Sequence, residues 1–197
     1  MEFADAVRRR RMVRNFTAEP VDREVLDLIL DLARRAPSAG FTQGFAFLVL
    51  EGPGQVGRFW DATFPAAERE GFRWPGLFSV PVIVLPCTSK QAYLDRYAEP
   101  DKGWTDKEET RWPVPYWDVD CAFATMTLLL GAVDAGLGAL FFGIFDGLAE
   151  LRTAFGIPDD FTPIGAVALG HPAPDEPSPS LARGRRPVED TIHHGRW

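Results

Sequence analysis

DVDCAFATMTLLLGAVDAGLGALFFGIF, residues 118–145, reads as a long helix that turns sharply into a strand. From Asp118 to Asp134 apolar side chains fill nearly every face, among them Phe123, Met126, Leu128, Leu129, Leu130 and Val133. A helix that is apolar all round is buried, so this one is expected at the centre of the molecule. Gly136 supplies the left-handed residue that commonly stops a helix, and Gly138 to Phe142 follows as a strand.

Working outward, Gly147 to Phe155 reads as a further helix closed by Gly156 and Pro158, and PIGAVAL, Pro163 to Leu169, as a last core strand. Upstream, Phe45–Leu50 and Val80–Leu85 are short, branched apolar runs bounded by turn residues, which suits buried strands. Glu2 to Met12 carries Phe3, Ala6 and Val7 at helical spacing. A second helix starts from an N-cap at Asp22, repeats Val25, Leu26, Ile29, Leu30, Leu32 and Ala33, and stops before Pro37. Residues 53–78 hold six large aromatics without a sustained period and read as mixed helix and loop. The polar stretch from Tyr93 to Trp117, with Trp104, Trp112 and Trp117, reads equally as a lid or as a packed surface loop. After Gly170 proline, serine and arginine dominate, so residues 171–197 are expected to leave the body as an extended arm. With neither internal repeat nor linker, residues 1–197 read as one α+β domain.

The 197 residues, 46% hydrophobic and 25% charged, suffice to bury a real core. A net charge of −7 argues against a general nucleic-acid binder, because phosphate backbones demand a basic surface. No apolar run approaches the roughly 18 residues that would span a bilayer. The MEFAD start lacks the basic-then-apolar order of a signal peptide, so a cytoplasmic location is expected. Cys87 and Cys121 each stand in apolar surroundings and are expected to be buried thiols. His193 and His194 are adjacent, their side chains point apart, and no metal site is expected. The absence of GxSxG, GxxxxGK and GxGxxG disfavours esterase, P-loop and Rossmann chemistry.

Charge placement is more informative than its sum. Five arginines fall between residues 8 and 14, and three between 183 and 186, at opposite ends of an acidic chain. In RRRMVRNF, Arg9 to Phe16, Arg10 and Arg14 are four apart and Arg11 and Arg14 three apart, so on a continuing helix they would converge on one phosphate, although the segment taken alone reads more readily as a solvated basic face. RGRRP, Arg183 to Pro187, offers further guanidiniums to the same small anion. Between helix and strand, APSAGFTQGF, Ala36 to Phe45, combines hydroxyls, two glycines that permit close backbone approach, and Gln43, which donates and accepts at once. Such a loop suits a flat polar heterocycle, and equally a plain helix-to-strand turn.

In this order, RRRMVRNF, PVDREVLDLILDLARRAPSAGFTQ, the long helix running into GLGALFFGIF, and FTPIGAVALGHP with RGRRPVED resemble the FMN-dependent nitroreductase family over essentially the whole chain. The resemblance implies a central, mostly antiparallel sheet flanked by helices, and a homodimer that exchanges its C-terminal arms and holds a flavin site at each side of the interface. It implies that Arg10, Arg11 and Arg14, with Met12 between them, meet the flavin's phosphate and pyrimidine edge, completed by Arg183 and Arg185. It implies that Pro37, Ser38, Ala39, Gly40, Phe41 and Gln43 reach a flavin across the interface. Phe141, Phe142, Gly143 and Ile144 match the segment beneath the isoalloxazine ring. The expected activity is ping-pong hydride transfer from NADH or NADPH through FMN to nitroaromatics, quinones or similar flat aromatics, with no catalytic side chain required.

Three positions depart from the family pattern: Met12 stands where serine is common, Phe41 where asparagine is common, and Gly44–Phe45 where a proline–tryptophan pair is common. These losses predict a more apolar pocket. Phe41 also resembles the GF(M/T)Q loop of the flavin-fragmenting dimethylbenzimidazole synthases, which is the alternative enzymatic reading. A flavin carrier or sensor without turnover is the alternative from a different class.

Overall fold

The structure, a computed structural model, describes residues 1–197. Its elements are, in order, α1 (Phe3–Arg9), α2 (Arg23–Ala33), β1 (Phe45–Glu51), α3 (Gly52–Thr63), α4 (Ala66–Arg69), β2 (Val82–Thr88), α5 (Lys90–Tyr97), α6 (Tyr116–Asp134), β3 (Gly138–Phe142), α7 (Leu148–Phe155), β4 (Thr162–Pro163) and β5 (Ala166–Gly170). The strands pair antiparallel in the order β1-β2-β5-β3, with the short β4 added to β2. This is the expected α+β architecture with an antiparallel sheet.

The alternation of side chains along each strand builds two cores. Ile83, Leu85, Leu140, Ala166 and Ala168 face Val56, Phe59 and Trp60 of α3 and Leu151 of α7. Val82, Val84, Ala139, Val167 and Leu169 face Leu26, Ile29 and Ala33 of α2 and Leu128, Leu129 and Ala132 of α6. β2 is buried along its whole length because helices cover both of its faces. At the start of α2 the Asp22 carboxylate accepts the Glu24 and Val25 N–H groups, at 2.8 and 3.3 Å, as its place before the apolar repeat predicts.

Three expectations are corrected. First, α1 ends at Arg9 and does not reach Met12. Arg10 is already extended, because Met12 bridges Ala139 in parallel and the Val13 N–H donates to the Ala139 carbonyl at 3.0 Å. Second, α6 is covered on one side only: Cys121, Ala124, Leu128 and Ala132 are fully buried, whereas Phe123 and Met126 are exposed. Third, the stretch from Tyr93 to Trp117 is not a free excursion. α5 runs into it, and Trp112 packs against the rings of Tyr93, Tyr97, Trp104 and Trp117 at centroid distances of 4.5–6.0 Å. Trp117 belongs to the buried set, so the tryptophans form a packed stack rather than a lid.

The arm begins as part of the body. Pro172 bridges Phe16, the Ala173 N–H donates to the Asn15 carbonyl at 3.0 Å, and the Asn15 side-chain amide donates to the Pro174 carbonyl at 3.1 Å. Beyond Glu176 it carries Leu181, Val188, Ile192 and Trp197, all exposed. No helix is long and apolar enough to cross a membrane.

Leu128 is fully buried where α6 meets α2 and the sheet. Leu128→Ala is expected to lower stability by about 2–5 kcal/mol, the usual cost of lost transfer free energy plus the cavity left behind. A urea unfolding midpoint equal to that of the unaltered chain would contradict this packing.

Candidate functional site

The extended segment after α1 carries the arginines, and its course decides where they go. Lying along β3, it places Arg14 beside the turn that follows that strand. There Arg14, Phe141, Phe142, Gly143 and Ile144 line one cavity of about 340 Å³. Arg14 and the Phe141–Ile144 segment, picked from distant parts of the sequence, thus line one cavity, whereas Arg10, Arg11 and Met12 do not line it.

Most of the remaining lining comes from the aperiodic aromatics of residues 60–78. Trp60 stacks on Phe142 at 5.7 Å and meets Phe78 edge-on at 5.0 Å, while Phe72 packs against Phe64 and Phe78, each at 5.4 Å. The Trp74 ring is approached by two guanidiniums, Arg14 at 5.1 Å and Arg73 at 5.2 Å, and its indole N–H donates to the Glu176 carbonyl at 3.2 Å. Thr63, Glu68 and Asp146 add polar groups to this otherwise aromatic cavity. A cavity lined mostly by aromatic rings, with one guanidinium and two carboxylates among its polar groups, suits a flat aromatic ligand.

The arginines divide. Arg14 Nη1 donates to the Met12 carbonyl at 3.0 Å, which holds its guanidinium at the cavity. Arg11 pairs with Asp175 at 3.3 Å. The same Asp175 oxygen accepts the Arg14 backbone N–H at 2.9 Å, and its other oxygen is buried without a partner. Arg10 caps α1 through its backbone N–H to the Ala6 carbonyl, half-buried, and makes no ion pair. Arg183 and Arg185 lie exposed on the arm, and no contact joins them to Arg10, Arg11 or Arg14 within the chain.

The Pro37–Gln43 loop stands elsewhere, against α5 and α6, and lines none of this cavity. It is nevertheless a constructed feature. Ala39–Phe41 forms a 3-10 turn, and Gly40, Phe41 and Gln43 all take left-handed backbone angles, at φ +62°, +54° and +53°. For Phe41 and Gln43 that conformation costs on the order of 1–3 kcal/mol each. The Phe41 ring is 76% exposed.

Sequence reasoning missed the aromatic wall of Trp60, Phe64, Phe72, Trp74 and Phe78, the Asp175 clamp on the arginine segment, and Asp120, whose buried carboxylate accepts the Ala39 N–H at 2.8 Å. The density of aromatics between residues 59 and 78 was the one available signal for the wall. Both cysteines are buried, and burial pushes the Cys87 thiol up to about 11 and the Cys121 thiol up to about 12. No group of three or more His, Cys, Asp or Glu side chains is gathered as for a metal ion.

A model of the nitroreductase family matches residues 7–171. A relative from Methanothermobacter thermautotrophicus, provisionally named an NADH dehydrogenase/NAD(P)H nitroreductase, is 26% identical over all of this chain and 88% of its own. A nitroreductase family protein from Clostridium difficile superposes with a TM-score of 0.72 at 22% identity, covering all of both chains. A Desulfovibrio desulfuricans structure, provisionally named a nitroreductase and solved in complex with FMN, gives a TM-score of 0.71 at 24% identity, covering 100% of this chain and 98% of that one.

The thiol shifts carry a prediction. Below about pH 9 neither cysteine ionises in the folded protein, so a thiol reagent at pH 8 should label neither until denaturant is added. Because unfolded thiols ionise near the ordinary value of about 8.5 while the folded ones keep their protons, both contributions to stability are present below that pH and are lost as pH rises further. Rapid labelling of the native protein would contradict the burial.

Proposed function

The chain belongs to the nitroreductase family, and from that premise we propose that it is an FMN-dependent oxidoreductase, taking reducing equivalents from NADH or NADPH and passing them to flat aromatic acceptors such as quinones or nitroaromatics. The observation that carries this reading is the shared cavity of about 340 Å³, lined by Arg14, the Phe141–Ile144 segment and a set of aromatic rings. A tricyclic ring fits such walls, and guanidiniums fit a phosphate. When bound, FMN supplies the hydride-accepting and hydride-donating chemistry.

The chain's own residues have simpler tasks. Arg14, and Arg10 two residues before the Met12 bridge, anchor the phosphate and the pyrimidine edge, where fixed positive charge stabilises electron density gained on reduction. Arg11 contributes less, because Asp175 already engages it. The backbone of Phe141–Ile144 supports the ring, and the aromatic wall excludes water and selects flat partners. Donor and acceptor use one opening in turn, which gives ping-pong kinetics.

The functional unit in this reading is a homodimer. The apolar stripe of α6, Phe123 and Met126 with the half-buried Leu130 and Val133, is uncovered in one copy, as are the four apolar side chains of the arm. Burying them against a second copy would bring Ser38–Gln43, Arg183 and Arg185 of one subunit toward the cavity of the other.

Steady-state rates with NADPH and a quinone should give parallel double-reciprocal lines. Incubating reduced FMN with the protein in air should return intact oxidised FMN, whereas a benzimidazole product would replace this reading with the flavin-fragmenting one. Turnover of small polar oxidants but of no aromatic would remove the proposed acceptor class.

Replacing Arg10 and Arg14 together by alanine is expected to cost roughly 3–6 kcal/mol of FMN affinity, a 10²- to 10⁴-fold loss, with the dimer still folded. Arg185→Ala should act in the same direction with a smaller effect. Unchanged affinity in the double variant would contradict the anion assignment. Phe123→Glu should yield a monomer by light scattering, and a dimer that persists would exclude the α6 stripe as the interface.

A further inference from the structure

We propose that Asp120 is a positioning residue: from α6 its buried carboxylate, backed by the aromatic stack on α5, holds the Ser38–Gly44 loop in the left-handed conformation that presents Phe41. The consequence for catalysis rests on the reading that this loop meets the flavin site.

Asp120 is 3% exposed on an otherwise apolar face, so its carboxylate must be met by donors. One oxygen, Oδ2, accepts both the Ala39 N–H and the Tyr93 hydroxyl, each at 2.8 Å. The first bond fixes the entry to the loop, and the second locks the tyrosine on which the loop rests. A β-carbon on Gly44 would lie 2.5 Å from the Tyr93 ring, and one on Gly40 would lie 2.8 Å from Tyr97, so the backbone lies directly on both rings. Trp112 packs behind both, at 4.5 Å from Tyr97 and 6.0 Å from Tyr93. Arg96 Nε donates to the Gly40 carbonyl at 3.0 Å, and within the loop the Gln43 N–H donates to Ser38 Oγ at 2.8 Å.

Left-handed angles at Phe41 and Gln43 persist only when the surroundings over-determine them, and Asp120 is the side chain outside the loop that accepts one of its N–H groups. The exposed ring of Phe41 is thereby offered on a preformed loop, and an acceptor meeting it pays little ordering cost. Without the clamp that cost falls at binding, so KM changes before the fold does. The residues that resemble a lid act instead as the strut behind the loop.

Amide hydrogen exchange of residues 39–44 in the full-length flavin-free protein tests this, together with KM for a quinone in the FMN-loaded enzyme. Asp120→Ala is expected to speed exchange at Ala39, Phe41 and Gln43 by about tenfold or more and to raise KM by a similar factor. Asp120→Asn, whose carbonyl oxygen can accept both bonds, should stay within about threefold of the unaltered chain on both readouts. Unchanged exchange in the folded alanine variant would overturn the proposal, as would an asparagine variant as impaired as the alanine one. If Asp120→Ala does not fold, Tyr93→Phe removes one of the two bonds and keeps the ring; exchange at Ala39 should then rise, and no rise overturns the proposal. Accelerated exchange in a protein that takes up no FMN supports the clamp and removes the flavin reading, whereas unchanged exchange in an FMN-binding protein removes the clamp alone.

Discussion

The Val13 N–H to Ala139 carbonyl bond, 3.0 Å long and joined to the Met12 bridge, lays the N-terminal segment along β3. Space for it exists because residue 138 is glycine: a β-carbon there would stand 3.0 Å from three side-chain carbons of Val13. Once Val13 is seated, α1 must end at Arg9, Arg14 falls beside the turn after β3, and Phe16 reaches the start of the arm at Pro172. Asp175 then closes the arrangement by accepting the Arg14 N–H and pairing with Arg11. One edge contact thus joins both ends of the chain to the candidate site.

α6 shows how a single helix serves several demands. Leu128 and Ala132 complete the core beneath the sheet, Asp120 reaches the Ser38–Gly44 loop, and Phe123 and Met126 remain uncovered. A sequence apolar on nearly every face therefore does not bury the helix all round: one side meets the core and the other leaves apolar side chains uncovered.

The sheet was legible because each of its four long strands is a short apolar run closed by turn residues, and α2 because its repeat follows a capping aspartate. α5 was not: KQAYLDRY has one fully buried side chain, Tyr93, and little amphipathic pattern to detect. The Arg10, Arg11 and Arg14 spacing was read as helical, and by i,i+3 and i,i+4 criteria it is, but pairing with β3 claimed the backbone first. Tertiary hydrogen bonding of that kind leaves no local trace. The aromatic lining escaped notice for a related reason: Trp60 comes from α3 and Phe64 from its C-cap, Phe72 and Trp74 from irregular backbone, and Phe78 from the 3-10 helix Pro75–Ser79. They converge through folding rather than through any period. The Phe141–Ile144 segment was singled out by resemblance, and it lines the same cavity as those aromatics, with Phe142 stacked on Trp60.

Everything proposed for the site depends on a flavin entering the cavity lined by Arg14 and the Phe141–Ile144 segment. Titrating the protein, freed of any flavin, with FMN while following flavin fluorescence is the direct measurement. Quenching that saturates at one FMN per chain, with a visible spectrum perturbed from that of free FMN, is the expected result. Flavin that stays fully fluorescent in the presence of a folded protein would contradict it.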